Sequence, residues 1–197
     1  MDQRPPPFAH RKLIIMSYCE VVWQMEKGNV HVQYHNHEYG FPIRDDNHLF
    51  ARLVLEINQA GLSWTTILNK KENFFKAYDH FDIEKVASYN KKQIDRLLND
   101  PGIIRNRLKI QAAVDNAKKI LEIQKEHGSF KKWLDKQHPL SWEEWVKIFK
   151  NNFRFTGGEI VNEFLVSSGY LPGAHIPACP IYEKVLKKNP PWLKNGR

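Results

Sequence analysis

Apolar residues in this chain return at every third or fourth position and scarcely anywhere at every second. Leu49, Leu53 and Ile57 mark one such row, with Phe50 and Val54 beside it; Ile103, Ile110, Val114, Ala117 and Leu121 mark another. A 3.6-residue period lays one apolar stripe along a helix, whereas a half-buried strand needs a period of two. The expected fold class is therefore all-α. End signals agree with the rows. Gly61 fits a helix stop, and Ser63 an N-cap for a helix whose apolar face includes Ile67, Leu68 and Phe75. Asp82 is placed to cap "IEKVASY". Asn90 with Gln93, and Ser141 with Glu144, have the three-residue spacing of capping boxes. Gly128 closes the long segment that follows Asp100-Pro101-Gly102. "GGEIVNEFLVSSG" reads as one more helix, and the Pro-rich stretch from Tyr170 onward as irregular.

With 197 residues, 42% of them hydrophobic, the chain suits one compact domain. We expect that domain over residues 19–190, after a flexible Pro-rich extension over 1–18. "LIIM" is too short for the core of a signal peptide, and no run approaches a membrane span. A cytoplasmic monomer is the expectation. The net charge of +8 favours a polyanionic partner, although solubility alone explains many basic proteins. Position adds to the charge. Arg105, Arg107 and Lys109 follow the Pro-Gly turn of "LLNDPGIIRNRLKI", where two helices fold back on each other in a hairpin over roughly 90–125. Free amides at the start of the second helix, from Gly102 and Ile103 onward, suit a phosphate oxygen. By itself the pattern equally describes an ordinary helical turn with solvated basic side chains.

Two cysteines, Cys19 and Cys179, do not make a disulfide scaffold. Buried thiols, one long bridge or metal ligation all fit them. His175 stands four residues before Cys179, and "YHNHEYG" offers His35 and His37 downstream of Cys19. Two sulfurs and two nitrogens form a set that zinc accepts in closed structural sites. Such a centre would tie the 19–35 segment to 175–179. A third oddity is Glu56, a lone carboxylate in the apolar run "LVLEINQAGLSW". It is either a partly exposed residue paired with Arg52 one turn earlier, or an acid facing an interior pocket. Tyr34, Tyr39, Trp64 and Trp23 serve as core, or as stacking walls for a flat cationic ring.

"YHNHEYGFPIRDDNHLFARLVLEINQAGLSW", followed by "GIIRNRLKIQAAVDNA", "GSF" and "HIPAC", resembles the DNA-3-methyladenine glycosylase I family, a divergent branch of the helix-hairpin-helix DNA glycosylases. The resemblance runs from about Cys19 to Tyr182. It implies a helical bundle that releases 3-methyladenine from alkylated double-stranded DNA in base excision repair. It assigns Glu56 to contact with the excised base, and Tyr34 and Trp64 to the base pocket. Tyr39 stands where the family usually has tryptophan. His35, His175 and Cys179 match three ligands of a structural zinc, with Cys19 the one cysteine left for the fourth, and His37 falls where the family has none. Departures lie at Trp23, four residues after Cys19 instead of two, at Ile57-Asn58, at Gly157-Gly158-Glu159 and at Ser167-Ser168-Gly169. They leave open a shifted lesion range, or a damaged-DNA binder without turnover. The aspartate and the hairpin lysine of the wider superfamily have no counterpart here, Asp115 lying mid-helix. A monofunctional enzyme with water as nucleophile is the expectation.

Overall fold

The computed structural model describes residues 16–194. Helices follow one another along it, with no strand among the described residues, as the apolar period requires. The first four are α1 (Tyr18–Trp23), α2 (Val30–His37), α3 (Asp46–Gln59) and α4 (Trp64–Ala77). Then come α5 (Ile83–Ala87), α6 (Lys91–Asn99), α7 (Arg107–His127) and α8 (Phe130–Gln137). The last three are α9 (Trp142–Asn152), α10 (Gly158–Ser167) and α11 (Pro180–Leu186).

α3 is the axis of the bundle. Every residue from Leu49 to Asn58 is buried, because α4, α7, α8 and α10 all lie against it. A helix covered on all sides is normally apolar all round. Arg52 and Glu56 are the two charges inside this stretch, and both are almost wholly buried. Around α3 the aromatic core is deep: Phe50, Phe74, Tyr78, Phe81, Phe130 and Phe164 are wholly buried. Each such phenyl ring contributes roughly 1.5–3 kcal/mol over an exposed one. A second, small apolar cluster holds the two chain ends together: Cys19, Cys179, Ile181 and Val185 are its buried members.

The local signals act as read at most boundaries. Ser63 accepts from the Thr66 amide at 3.2 Å and Asp82 from the Lys85 amide at 3.0 Å. Both capping boxes form, and Gly61 and Gly128 take left-handed φ of +82° and +83°. Three boundaries differ. The second helix of the hairpin starts at Arg107, four residues later than the turn suggests, because Asn106 Oδ1 caps the Leu108 and Lys109 amides at 3.0 and 3.1 Å. The tail is not all irregular, since Pro180 at the first helical position opens α11. Ser17 and Tyr18 belong to the folded body and not to an extension: Ser17 forms a capping box with Glu20 at the head of α1. The rest of the expected extension, residues 1–15, lies outside the described residues. Gly40 brings the α2 end against the tail. Its φ is +78°, and a Cβ there would stand 2.4 Å from that of Ala174.

Candidate active site and metal centre

Glu56, one turn from the end of α3, opens into a cavity of about 320 Å³. Tyr18, His31, Tyr34, Tyr39 and Trp64 wall it, and Gln59 and Glu163 complete it. Glu56 is only 5% exposed. Burial raises its carboxyl to about 7, against the pull of Arg52, and the charge of Glu163 adds to the rise. The Ser167 hydroxyl lies 3.3 Å from Glu56 Oε1 and 3.2 Å from the Phe164 carbonyl, so its single proton serves one or the other. The acid is thus shielded, weakly bonded and poised to ionise near neutrality. Such a group invites a cationic or proton-donating ligand.

The aromatic walls interlock. Tyr34 and Trp64 meet at 5.2 Å between centroids with planes 65° apart; Tyr34 and Tyr39 meet at 5.5 Å, and Tyr18 stands edge-on to Tyr39 at 5.4 Å. Arg52 does not bond Glu56, four residues on. Its guanidinium lies 4.9 Å from the Tyr34 ring centre and donates to the Tyr34 hydroxyl and, at 3.3 Å, to Glu38. Glu38 also holds Lys71. Arg52 therefore fixes Tyr34 from behind. The larger cavity of about 490 Å³ on the far side of Arg52, with Glu38 and Lys71 in its wall, lacks the ring of tyrosines.

Five residues escaped the sequence reading, Gln59 at the end of α3 among them. Tyr18 and His31 join the cavity because His31 Nδ1 bonds the Tyr18 hydroxyl at 2.9 Å while Nε2 bonds Thr65 Oγ1 at 2.8 Å. Glu163 arrives from α10, which crosses α3, and Ser167 lies one turn further on. Helical spacing puts both on one face of α10, but nothing in sequence says that this face meets Glu56. Trp23, expected in the pocket, is absent from its wall. It ends the six-residue α1 with its indole 49% exposed, and Tyr18 occupies the cavity instead.

The two chain ends meet in a buried group of Cys19, His35, His175 and Cys179, whose donor atoms all lie within 4.8 Å of one another. His35 Nε2 is 3.3 Å from Cys19 Sγ and 3.2 Å from His175 Nδ1, and Cys179 Sγ is 3.8 Å from both nitrogens. A tetrahedral ion with bonds of about 2.0–2.3 Å spaces its donors by roughly 3.3–3.8 Å. The outer ring nitrogens are spoken for: His35 Nδ1 bonds Asn36 Oδ1 at 2.7 Å and His175 Nε2 bonds the Tyr39 carbonyl at 2.8 Å. With those protons on the outside, both lone pairs point inward. Burial takes His175 down to about 4, so its ring is neutral, and pushes the Cys19 thiol up to about 11, a penalty that a cation removes. The group could hold a metal ion, and the residues fit one. His37 takes no part.

At the hairpin the expected backbone anchors divide. Arg105 and Arg107 are exposed beside the turn. The amides of Ile104, Arg105 and Arg107 have no partner among the described residues. The Gly102 amide is taken by Asp100 Oδ1 at 2.7 Å, and that of Ile103 reaches the Asp100 carbonyl at 3.4 Å. Lys109 is not a free cation at all. It is 7% exposed, and its ammonium donates to the Asn58 and Ala60 carbonyls at 3.0 and 2.6 Å. These are end carbonyls of α3, which a lysine satisfies well. Lys109 thereby secures the turn that leads from Gln59 to Trp64.

A buried acid in an aromatic cavity, a helical hairpin with exposed arginines and a Cys/His group together describe a base-excising protein of the helical glycosylase class. The methyladenine glycosylase family model matches residues 23–147. DNA-3-methyladenine glycosylase 1 of Escherichia coli (strain K12) is 32% identical over 172 residues, 78% of this chain and 91% of that protein. A solved 3-methyladenine DNA glycosylase I from Staphylococcus aureus superposes with a TM-score of 0.71 at 35% identity, over 79% of this chain and 93% of its own. A glutamate-to-glutamine mutant from that organism gives 0.73 at 34% identity, over 84% and 97%. The chain belongs to the methyladenine glycosylase family.

Proposed function

We propose that this protein hydrolyses the N-glycosidic bond of 3-methyladenine in alkylated duplex DNA, as a monofunctional glycosylase acting as a monomer in the cytoplasm. One observation carries the reading: a carboxylate almost wholly buried on α3 faces a cavity walled by Tyr34, Tyr39 and Trp64. A base must leave the duplex to be cut from its sugar. Adenine methylated on N3 is already positive, so its bond to C1′ is weak. When that bond breaks, its electron pair passes to the base nitrogen and cancels the charge; water adds to C1′ and releases a proton. No strong general acid is required. Glu56, when ionised, accepts from the exocyclic amine and favours the cation over neutral adenine, worth about 1.5–3 kcal/mol for a charge-assisted bond. The ring walls add stacking of about 1–3 kcal/mol. Base recognition ranks above general-base action for Glu56.

DNA would be held by the hairpin. Arg105, Arg107 and the uncommitted amides near them suit phosphate oxygens, which fix position without reading sequence. Leu62, 39% exposed on the tight turn between α3 and α4, has its carbonyl bonded at 3.1 Å by Gln59 of the cavity wall and would suit an apolar wedge for the gap left by the flipped base. The metal we assign to Cys19, His35, His175 and Cys179 is Zn²⁺. With four protein ligands it would fasten the chain ends and leave no coordination site for substrate. The test is release of 3-methyladenine from alkylated DNA by wild type and Glu56→Gln side by side. Release by the wild type with a deep loss in the variant is expected. Equal release by both would remove Glu56 from the mechanism.

A further inference from the structure

Glu163 gives the cavity a second carboxylate, on a different helix from the first. The neighbouring Asn162 amide donates to it at 3.4 Å, and among the described residues no salt bridge reaches it. Burial raises its carboxyl, the Asn162 amide and the Tyr39 hydroxyl pull it down, the charge of Glu159 adds to the rise, and it stands close enough to Glu56 to raise that acid too. A part-buried acid without a cation is costly for the fold. A positively charged ligand in the cavity would offset that cost.

One acid is enough for 3-methyladenine, whose only hydrogen-bond donors on the ring edge belong to one exocyclic amine. A second acid across the cavity suits a cation with more to donate. Guanine alkylated on N7 is such a base. It is positive, its glycosidic bond is weakened in the same way, and it carries N1–H next to an exocyclic amine, a pair that matches the two oxygens of a carboxylate. Its O6 requires a donor, and Tyr18, whose hydroxyl shares a hydrogen bond with His31 Nδ1, lines the same cavity. From this geometry we infer that Glu163 is a specificity residue that extends the accepted lesions to N7-alkylated guanine. The inference rests on the reading of the cavity as a lesion pocket.

The test uses the full chain and DNA treated with a methylating agent that yields both 3-methyladenine and 7-methylguanine. Released bases are separated and their rates compared for wild type, Glu163→Gln and Glu163→Asp. Wild type should release both. In Glu163→Gln the ratio of 7-methylguanine to 3-methyladenine release should fall at least tenfold, and Glu163→Asp should recover part of it. If Glu163→Gln does not fold, the aspartate variant, its carboxylate withdrawn by one methylene, should still lower the ratio. Wild-type release of 3-methyladenine with no 7-methylguanine would overturn this inference and leave the proposed function standing. An unchanged ratio in both variants would overturn it as well. Release of neither base by the wild type would remove the proposed function, and the inference with it.

Discussion

Replacing Glu56 by glutamine should make the protein more stable and less active, and the stability gain should depend on pH. In the folded chain Glu56 keeps its proton up to about 7, against an ordinary value of 4.5. Between those two values the unfolded chain binds fewer protons than the folded one. Folding stability must therefore fall as pH climbs from 4.5 to 7 and level off above. The interval is worth about 3 kcal/mol, since each pH unit contributes about 1.4 kcal/mol. Glutamine has no such slope. Urea unfolding at pH 8 should favour Glu56→Gln by up to about 3 kcal/mol, and at about pH 3, where the wild-type side chain is neutral in both states, the two should coincide. A gain of the same size at both values would trace to packing, and no gain at pH 8 would mean that Glu56 is well solvated or fully paired. Either result refutes the argument from burial. Base release should move the other way, roughly ten- to a hundredfold down, for loss of a charge-assisted bond.

In the wild type kcat/KM should rise about tenfold between pH 6 and pH 8 as Glu56 ionises, and removing the like charge with Glu163→Gln should move that rise to lower pH. Lys109→Met should cost about 1–3 kcal/mol of stability by orphaning carbonyls of α3, while leaving the salt dependence of DNA binding unchanged. Arg105→Ala should instead reduce the slope of log affinity against log salt by about 0.9, with little effect on unfolding. Trp64→Ala should weaken lesion binding by about 1–3 kcal/mol, whereas Trp23→Ala, at an exposed position, should leave base release as it was. Elemental analysis should find one zinc per chain, and Cys179→Ser should lose it together with a few kcal/mol, read as a drop in Tm of roughly 10 °C.

Local chemistry was legible wherever it acts within four residues. Ser63, Asn90 and Ser141 cap as their spacing requires, and the 3.6 period of Leu49, Leu53 and Ile57 is the buried axis itself. What sequence hid depends on which faces meet. Lys109 looked like one of three surface cations, yet its ammonium runs inward to α3, because the helix end there had carbonyls to satisfy. Asn106 went unnoticed since the Pro-Gly turn four residues earlier is the louder signal. Glu163 and Ser167 sit in a segment whose departures from the family were visible, but only the crossing of α10 over α3 aims them at Glu56. Glu56 itself was conspicuous as a lone charge among apolar residues; its direction into a cavity was not.

Tyr18 is the immediate neighbour of Cys19, Tyr34 of His35, and the Tyr39 carbonyl takes the outer proton of His175. Three rings of the cavity thus hang from three of the four donor residues at the joined chain ends. If the group holds a metal ion, its removal should loosen all three rings together. A disturbance at the Cys/His group is therefore expected to reach the cavity through the backbone that the two share.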